Sequence, residues 1–221
     1  GSWGSLMDTP SNFDPSDFFN TGMTEMNGFT LTTGTEQNQT YASVSTTNST
    51  GILPNNAYNR YNFSIRNTAK FCDNKLSLDL GAQYIIQNNK NMVGSGQYFN
   101  PLVSLYLFPR GENFQEVQMY ERYSEARNLM VQYWPESIFG TDLDMQNPYW
   151  IMNRMQNELS KRRYMFNASL KWDITDWVNV TGRVRVDNSD SDSYEKYYAS
   201  TRGTFTESSS KGYYGHTKQN D

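Results

Sequence analysis

The sequence predicts an all-β fold: about six antiparallel strands of a transmembrane β-barrel segment, with long and partly helical external loops. Three observations carry that prediction. Several stretches alternate apolar and polar residues with a period of two, which gives a strand one apolar and one polar face. Short links rich in turn formers alternate with much longer connections. The polar sides of the strands carry an unusual number of charged and amide groups, which suits a water-filled lumen.

The clearest strands are "YMFNASLKWDITDWVNVTGRVRVD" at 164–187, which read as two alternating runs joined at "DITDW". One side holds Tyr164, Phe166, Ala168, Leu170, Trp172, Val178, Val180, Val184 and Val186; the other holds Lys171, Arg183 and Arg185. Upstream, "RYNFSIRNTAKF" sets Tyr61, Phe63, Ile65, Ala69 and Phe71 against Arg60, Ser64, Arg66 and Lys70, and only Asn67 breaks the pattern. "KLSLDLGAQYIIQ" sets Leu76, Leu78, Leu80, Ala82, Tyr84 and Ile86 against Ser77, Asp79, Gln83 and Gln87. Weaker alternation marks 24–33 and 39–48.

Paired as hairpins, these strands leave tight turns at Gly34–Asn38, Cys72–Asn74 and Asp173–Asp176. The implied organisation is an external loop leading into the first strand (1–23), four strands (24–88), a long loop with helical pieces (89–162), a hairpin (163–187) and an irregular tail (188–221). Within the long loop, "QMYERYSEARNLMVQYWPES" and "NPYWIMNRMQNELSKR" have helix-like content. Unstructured loops of that length are uncommon in compact domains and tend to be functional.

Composition narrows the function classes. Only 36% of the 221 residues are hydrophobic, yet 15% are aromatic. No apolar run approaches the ~20 residues of a transmembrane helix, although alternating barrel strands average out as polar and escape that test. A net charge of −4 gives no general attraction to nucleic acid. The single cysteine, Cys72, has no partner for a disulfide or a metal cluster. His216 is the only histidine, so a histidine-based dyad or metal site has little to draw on, and no enzyme and no cofactor are expected. "GSWGSLMD" has neither the basic start nor the apolar stretch of a signal peptide, and its Gly-Ser reads as a cloning scar.

The order of several short motifs resembles the barrel of SusC/RagA-like TonB-dependent transporters of Bacteroidetes outer membranes. The matching stretches are "SDFFNTG" (16–22), "GTEQNQTYASVS" (34–45), "GILPNNAYNRYNFSIRNTAKF" (51–71), "NPLVSLYLFPR" (100–110), "NPYW" (147–150) and the "DITDW" turn, with "SWG" at 2–4 also fitting. The resemblance runs from about Trp3 to Asp187. It implies a 22-stranded barrel with an N-terminal plug, energised through TonB and paired with a SusD-like surface lipoprotein, importing glycans or oligopeptides. By that resemblance the chain is a middle portion, with the plug, the TonB contact and the remaining strands lying elsewhere. Thr50 stands where the family often has lysine, and the segment 111–146 is long; both bear on substrate choice.

Several residues invite specific roles. Arg66, Asp79, Gln83, Lys171, Arg183 and Arg185 are expected to face the lumen, because an arginine at mid-bilayer costs ~2–4 kcal/mol. Trp172 and Trp177 flank the 173–176 turn, as interfacial aromatics would. Tyr133, Trp134, Tyr149 and Trp150 have three open roles: stacking on a sugar or peptide substrate, contacting the lid partner, or building the loop's own core. Asp187, Asp190, Asp192 and Glu195 are a weak calcium candidate, since the glycine of an EF-hand loop is missing; a solvated loop is the plainer reading. Two other functions fit the same sequence: a soluble β-rich carbohydrate-binding module, and a passive porin or adhesin barrel. In the membrane reading, the apolar faces touch outer-membrane lipid and should carry no covering layer.

Overall fold

The computed structural model describes residues 14–109, 113–134 and 145–221. Its main element is a seven-stranded antiparallel sheet in the order β1-β2-β3-β4-β7-β8-β9. The strands are β1 (Met23–Gly34), β2 (Asn38–Thr50), β3 (Ala57–Phe71), β4 (Leu76–Lys90), β7 (Met155–Thr175), β8 (Val178–Tyr197) and β9 (Tyr213–Asn220). Between β4 and β7 lie α1 (Pro101–Leu107), α2 (Phe114–Gln118), a small hairpin of β5 (Glu121–Ser124) and β6 (Leu129–Gln132), and α3 (Pro148–Arg154). A helical turn, α4 (Gly203–Thr206), separates β8 from β9. Among the described residues, no helix is long and apolar enough to cross a membrane, which says nothing of strands.

Register assigns the faces. Because side chains alternate along each strand, directly paired residues share a face. One face stacks apolar rungs across the sheet: Phe71–Leu76–Trp172–Val180, Ala69–Leu78–Leu170–Gly182, Leu31–Ala42–Ile65–Ala82–Phe166–Val186 and Phe29–Val44–Phe63–Tyr84–Tyr164. Asn67, the break in the alternation, lies on this face too. Its side-chain amide donates to Asn38 Oδ1 at 2.7 Å and Thr40 Oγ1 at 2.9 Å, so its polarity is met by neighbours on the next strand.

The apolar face is bare. Leu170, Val180 and Val184 are 46%, 55% and 62% exposed, and among the described residues neither a second sheet nor a helix lies over them. The three tight turns lie together at one end. Asp173 N–H donates to Lys75 O at 2.8 Å, and Lys70 N–H donates to Gln37 O at 2.7 Å, which ties the turns to one another. In the middle turn Cys72, Asp73 and Asn74 all take positive φ, from 52° to 67°.

The loops at the other end hold the conventional core. Phe18, Leu53, Leu105, Phe108, Phe114, Val117 and Met152 form one buried cluster, and Trp150, Ile151 and Met155 form a second. The expectation that Pro101, Leu102, Leu105 and Phe108 anchor the long loop at this end is met: Leu105 and Phe108 sit in the first cluster, with Leu102 packed against it.

Three boundaries differ from the sequence reading. The tail after 188 is not irregular: β8 continues to Tyr197, and β9 pairs with its last eight residues. The long loop is shorter than 89–162, because β7 begins at Met155 and pairs from Glu158 with Lys90. "ERYSEARNLMVQ" is a short hairpin and not a helix, and the helix of "NPYWIMNR" ends at Arg154. Where β7 and β8 run on past the sequence-predicted ends, both faces of the strand are mostly polar, so hydrophobic alternation fades while backbone pairing continues.

Candidate functional site: the polar face and the loop cap

The face opposite the apolar rungs carries the charged groups. By register Arg66, Asp79, Gln83, Lys171, Arg183 and Arg185 all lie on it, together with Asn167 and Asp187 and with Tyr41 and Arg163, the last two not singled out by the sequence reading. Extending the alternation one residue either way would have found them. Arg66 binds Asp79 through both its Nε and Nη2, with Nε at 3.0 Å and 3.1 Å from the two carboxylate oxygens. Arg163 binds Asp187 with donors at 2.8 Å and 2.6 Å, and Arg185 approaches the same carboxylate at 3.5 Å. Lys171 holds Asp173 at 2.8 Å. Among the described residues Arg183 has no acidic partner.

These pairs are open to solvent, so screening leaves them little weight in stability. Their effect is on the surface they make: a mixed-charge, amide-rich wall. A recess of about 770 Å³ lies against it, lined by Thr32, Tyr41, Arg66, Gly81, Asn167 and Arg185 among others. Gly81 leaves room for the Asn167 side chain: a Cβ there would stand 2.5 Å from Asn167 Oδ1 and would turn that amide aside. Asn167 therefore leans across the strand between the two arginines.

The loop cap is organised by two "NP" sequences. Asn100 and Asn147 each cap a helix with their side-chain oxygen, and Pro101 and Pro148 occupy the first helical position, where a missing N–H costs nothing. Asn147 is fully buried and saturated. It accepts from Tyr149 N–H at 2.9 Å and Trp150 N–H at 3.4 Å, and its amide donates to Val117 O at 2.8 Å and Tyr133 O at 2.9 Å. That one side chain joins α2, β6 and α3.

The four loop aromatics do not form one platform. Trp150 is 1% exposed and its indole N–H donates to Thr201 Oγ1 at 3.0 Å, so it is a core residue and not a surface for substrate. Tyr149 packs edge-on against Phe18 at 4.9 Å in the other cluster, and burial pushes its phenol up. Trp134 is half-buried against Phe108. Tyr133 lies under the Arg122 guanidinium at 3.3 Å. Of the three open roles, packing in the loop's own core is the one realised for Trp150.

The calcium candidate is undone by strand alternation. Asp187 and Glu195 lie on one face of β8, and Asp190 and Asp192 on the other. Asp187 is engaged by Arg163, Asp190 accepts from Asn220, and Asp192 is 3.1 Å from His216. Among the described residues no cluster suited to a metal ion exists. Trp172 takes its place in the last apolar rung and Trp177 is 84% exposed in the adjoining turn.

A second recess, of about 270 Å³, opens where the cap meets the polar face, between Asn157, Glu195 and Tyr197 of the strands and Val93, Ser95 and Phe99 of the loop. Burial, with the nearby Glu195 and Tyr213, pushes the Tyr197 phenol up to about 12. The sequence reading took 188–221 for an irregular tail, so it placed neither Glu195, which it named only as a calcium candidate, nor Tyr197 on a strand beside this recess. No protein-family model matches the chain, and no curated protein matches it.

Proposed function

We propose that this chain is a segment of an outer-membrane active transporter that performs no bond chemistry and imports glycans or oligopeptides through a TonB-energised barrel, with a SusD-like lipoprotein as its lid. The observation that carries the membrane part is the height of the bare apolar band. On β4 the apolar residues run from Leu76 to Ile86, ten residue steps, which is about 33 Å along a strand and about 25 Å once projected at a tilt of ~40°. That is the apolar height of an outer-membrane barrel. The Ile86 rung, where Arg162 and Asp190 enter, is the upper edge of the band. Above Ile86 the same face turns polar through Asn88, Ser160 and Lys90, although the strands continue.

The rest of the reading rests on chemistry and on the motif resemblance. The polar wall of Arg66, Asp79, Asn167, Arg183 and Arg185 suits a wet lumen, and the loop cap sits where an external mouth would be. TonB coupling and the lid come from the resemblance alone. A soluble carbohydrate-binding module would leave a contiguous apolar face far larger than soluble proteins expose. The test is expression of the whole reading frame that carries this chain. Recovery in the outer-membrane fraction, a need for detergent, and loss of substrate uptake on gene deletion are expected. A protein that stays dispersed in buffer without detergent would sink the membrane reading.

A further inference from the structure

Resting on the membrane reading, we infer that the outward face of β3, β4 and β7 carries a site for one phosphorylated glycolipid of the surrounding leaflet, headgroup toward the loop end and acyl chains along the sheet. Two cavities on the same face, one above the other, point to an amphiphile. The lower is an apolar groove of about 570 Å³ whose walls include Phe29, Leu31, Phe63 and Phe166. Its floor is cut by Ala42 and Ala82, two small side chains within the Leu31–Ala42–Ile65–Ala82–Phe166 rung. The upper is a polar pocket of about 300 Å³ lined by Asn59, Asn88, Lys90, Glu158, Ser160 and Tyr194. Only the Ile86–Arg162 rung separates the two levels.

The upper pocket has hydrogen-bonding capacity that the protein leaves unused. Asn59, Asn88 and Ser160 stand in one rung across three strands, half-buried, and among the described residues their side chains make no hydrogen bond. Ala57 leaves the space above Asn59 open. Two cations frame that rung: Lys90 one rung above it and Arg162 one rung below, neither with an acidic partner within ion-pair distance among the described residues. Of the acids on this face, Glu158 pairs with Lys196 at 3.2 Å and Asp192 faces His216, while Asp190 and Glu25 accept from the neutral amides of Asn220 and Asn27 and keep their charge.

Neutral donors between two free cations suit a sugar bearing phosphate, whose hydroxyls take the amides and whose oxygens take the cations. An acyl chain in the groove beneath explains why the pocket lies at the upper edge of the apolar band. A soluble sugar phosphate would gain nothing from that groove.

The test is native mass spectrometry of the intact membrane protein in detergent, with added acylated glucosamine phosphate, its dephosphorylated form, or free glucosamine 1-phosphate. One acylated phosphate bound per chain is expected. Retention should fall at least tenfold for the dephosphorylated lipid and for the Lys90→Glu/Arg162→Glu variant, with no competition from the free sugar phosphate. Asn88→Leu, which fills the pocket and leaves the cations, should also weaken retention. Equal retention by wild type and both variants, or displacement by free glucosamine 1-phosphate, would overturn the lipid site while the need for detergent kept the membrane reading intact. Loss of that need would overturn the membrane reading itself.

Discussion

In the sheet, Phe29, Ile65 and Val184 stand in the open; in the cap between β4 and β7, Leu105, Val117 and Trp150 are sealed from solvent. The same kinds of side chain follow opposite rules in two regions of one chain. The sheet is held by backbone ladders and cross-strand pairs, and its apolar residues face outward from a polar wall. The cap folds as a small water-soluble domain does, around buried aromatics and a saturated asparagine. The difference teaches that an apolar residue reports on its solvent only once the whole element is placed.

The largest expected effect breaks the cap and spares the sheet. Trp150→Ala removes the largest fully buried side chain among the described residues and leaves the Thr201 hydroxyl without its donor. It should cost ~3–5 kcal/mol, read by hydrogen exchange as lost protection across α1 and α3. Amides of Leu76–Ile86 should keep theirs, since they depend on their neighbours in the sheet. Equal loss in both regions would show that cap and sheet share one folding unit.

The next effect sharpens the contrast between the faces. Val184→Arg on the bare face should cost ~2–4 kcal/mol of folding into lipid vesicles. The neighbouring Arg183→Val on the polar face should change it by less than about 1 kcal/mol. Denaturant titration in vesicles measures both, and equal costs would deny the assignment of faces.

A pH titration probes the seam between the regions. The Tyr197 phenol is raised from 10.0 to about 12 in the folded protein. The unfolded chain then loses its proton first, so this contribution is intact below pH 10 and is lost as pH rises toward 12. Tyr197→Phe should flatten the alkaline decline in stability over that window. An unchanged decline would place its cause in other groups.

The smallest effect belongs to the turn end. Cys72 sits at φ 52°, a left-handed conformation that disfavours a side chain. Cys72→Gly should stabilise by ~0.5 kcal/mol, the relief of ~1–2 kcal/mol less the extra entropy of an unfolded glycine. A shift of the urea midpoint with no change in slope would report it.

Facing was legible from the sequence wherever one side of a strand is apolar and the other polar. Period-two alternation placed Arg66 and Asp79 opposite Ile65 and Leu80, and short turns placed Cys72 and Asp173 at one end, because both follow from local geometry. The aromatic loop residues were not legible in the same way. Tyr149 and Trp150 are adjacent in sequence, yet they pack into different clusters, and nothing local distinguishes them.

By itself the sequence determined the β class, the faces of the strands and the tight turns, since alternation and turn preferences act within a few residues. Tertiary structure alone decided how far β7 and β8 run beyond the apolar band, that Asp187 and Asp190 face apart, and that Trp150 is core. Those outcomes depend on partners distant in sequence: Lys90 across from Glu158, β9 along β8, Thr201 beneath the indole. A strand wet on both faces carries no hydrophobic period, so only its hydrogen-bonded neighbour can say where it ends.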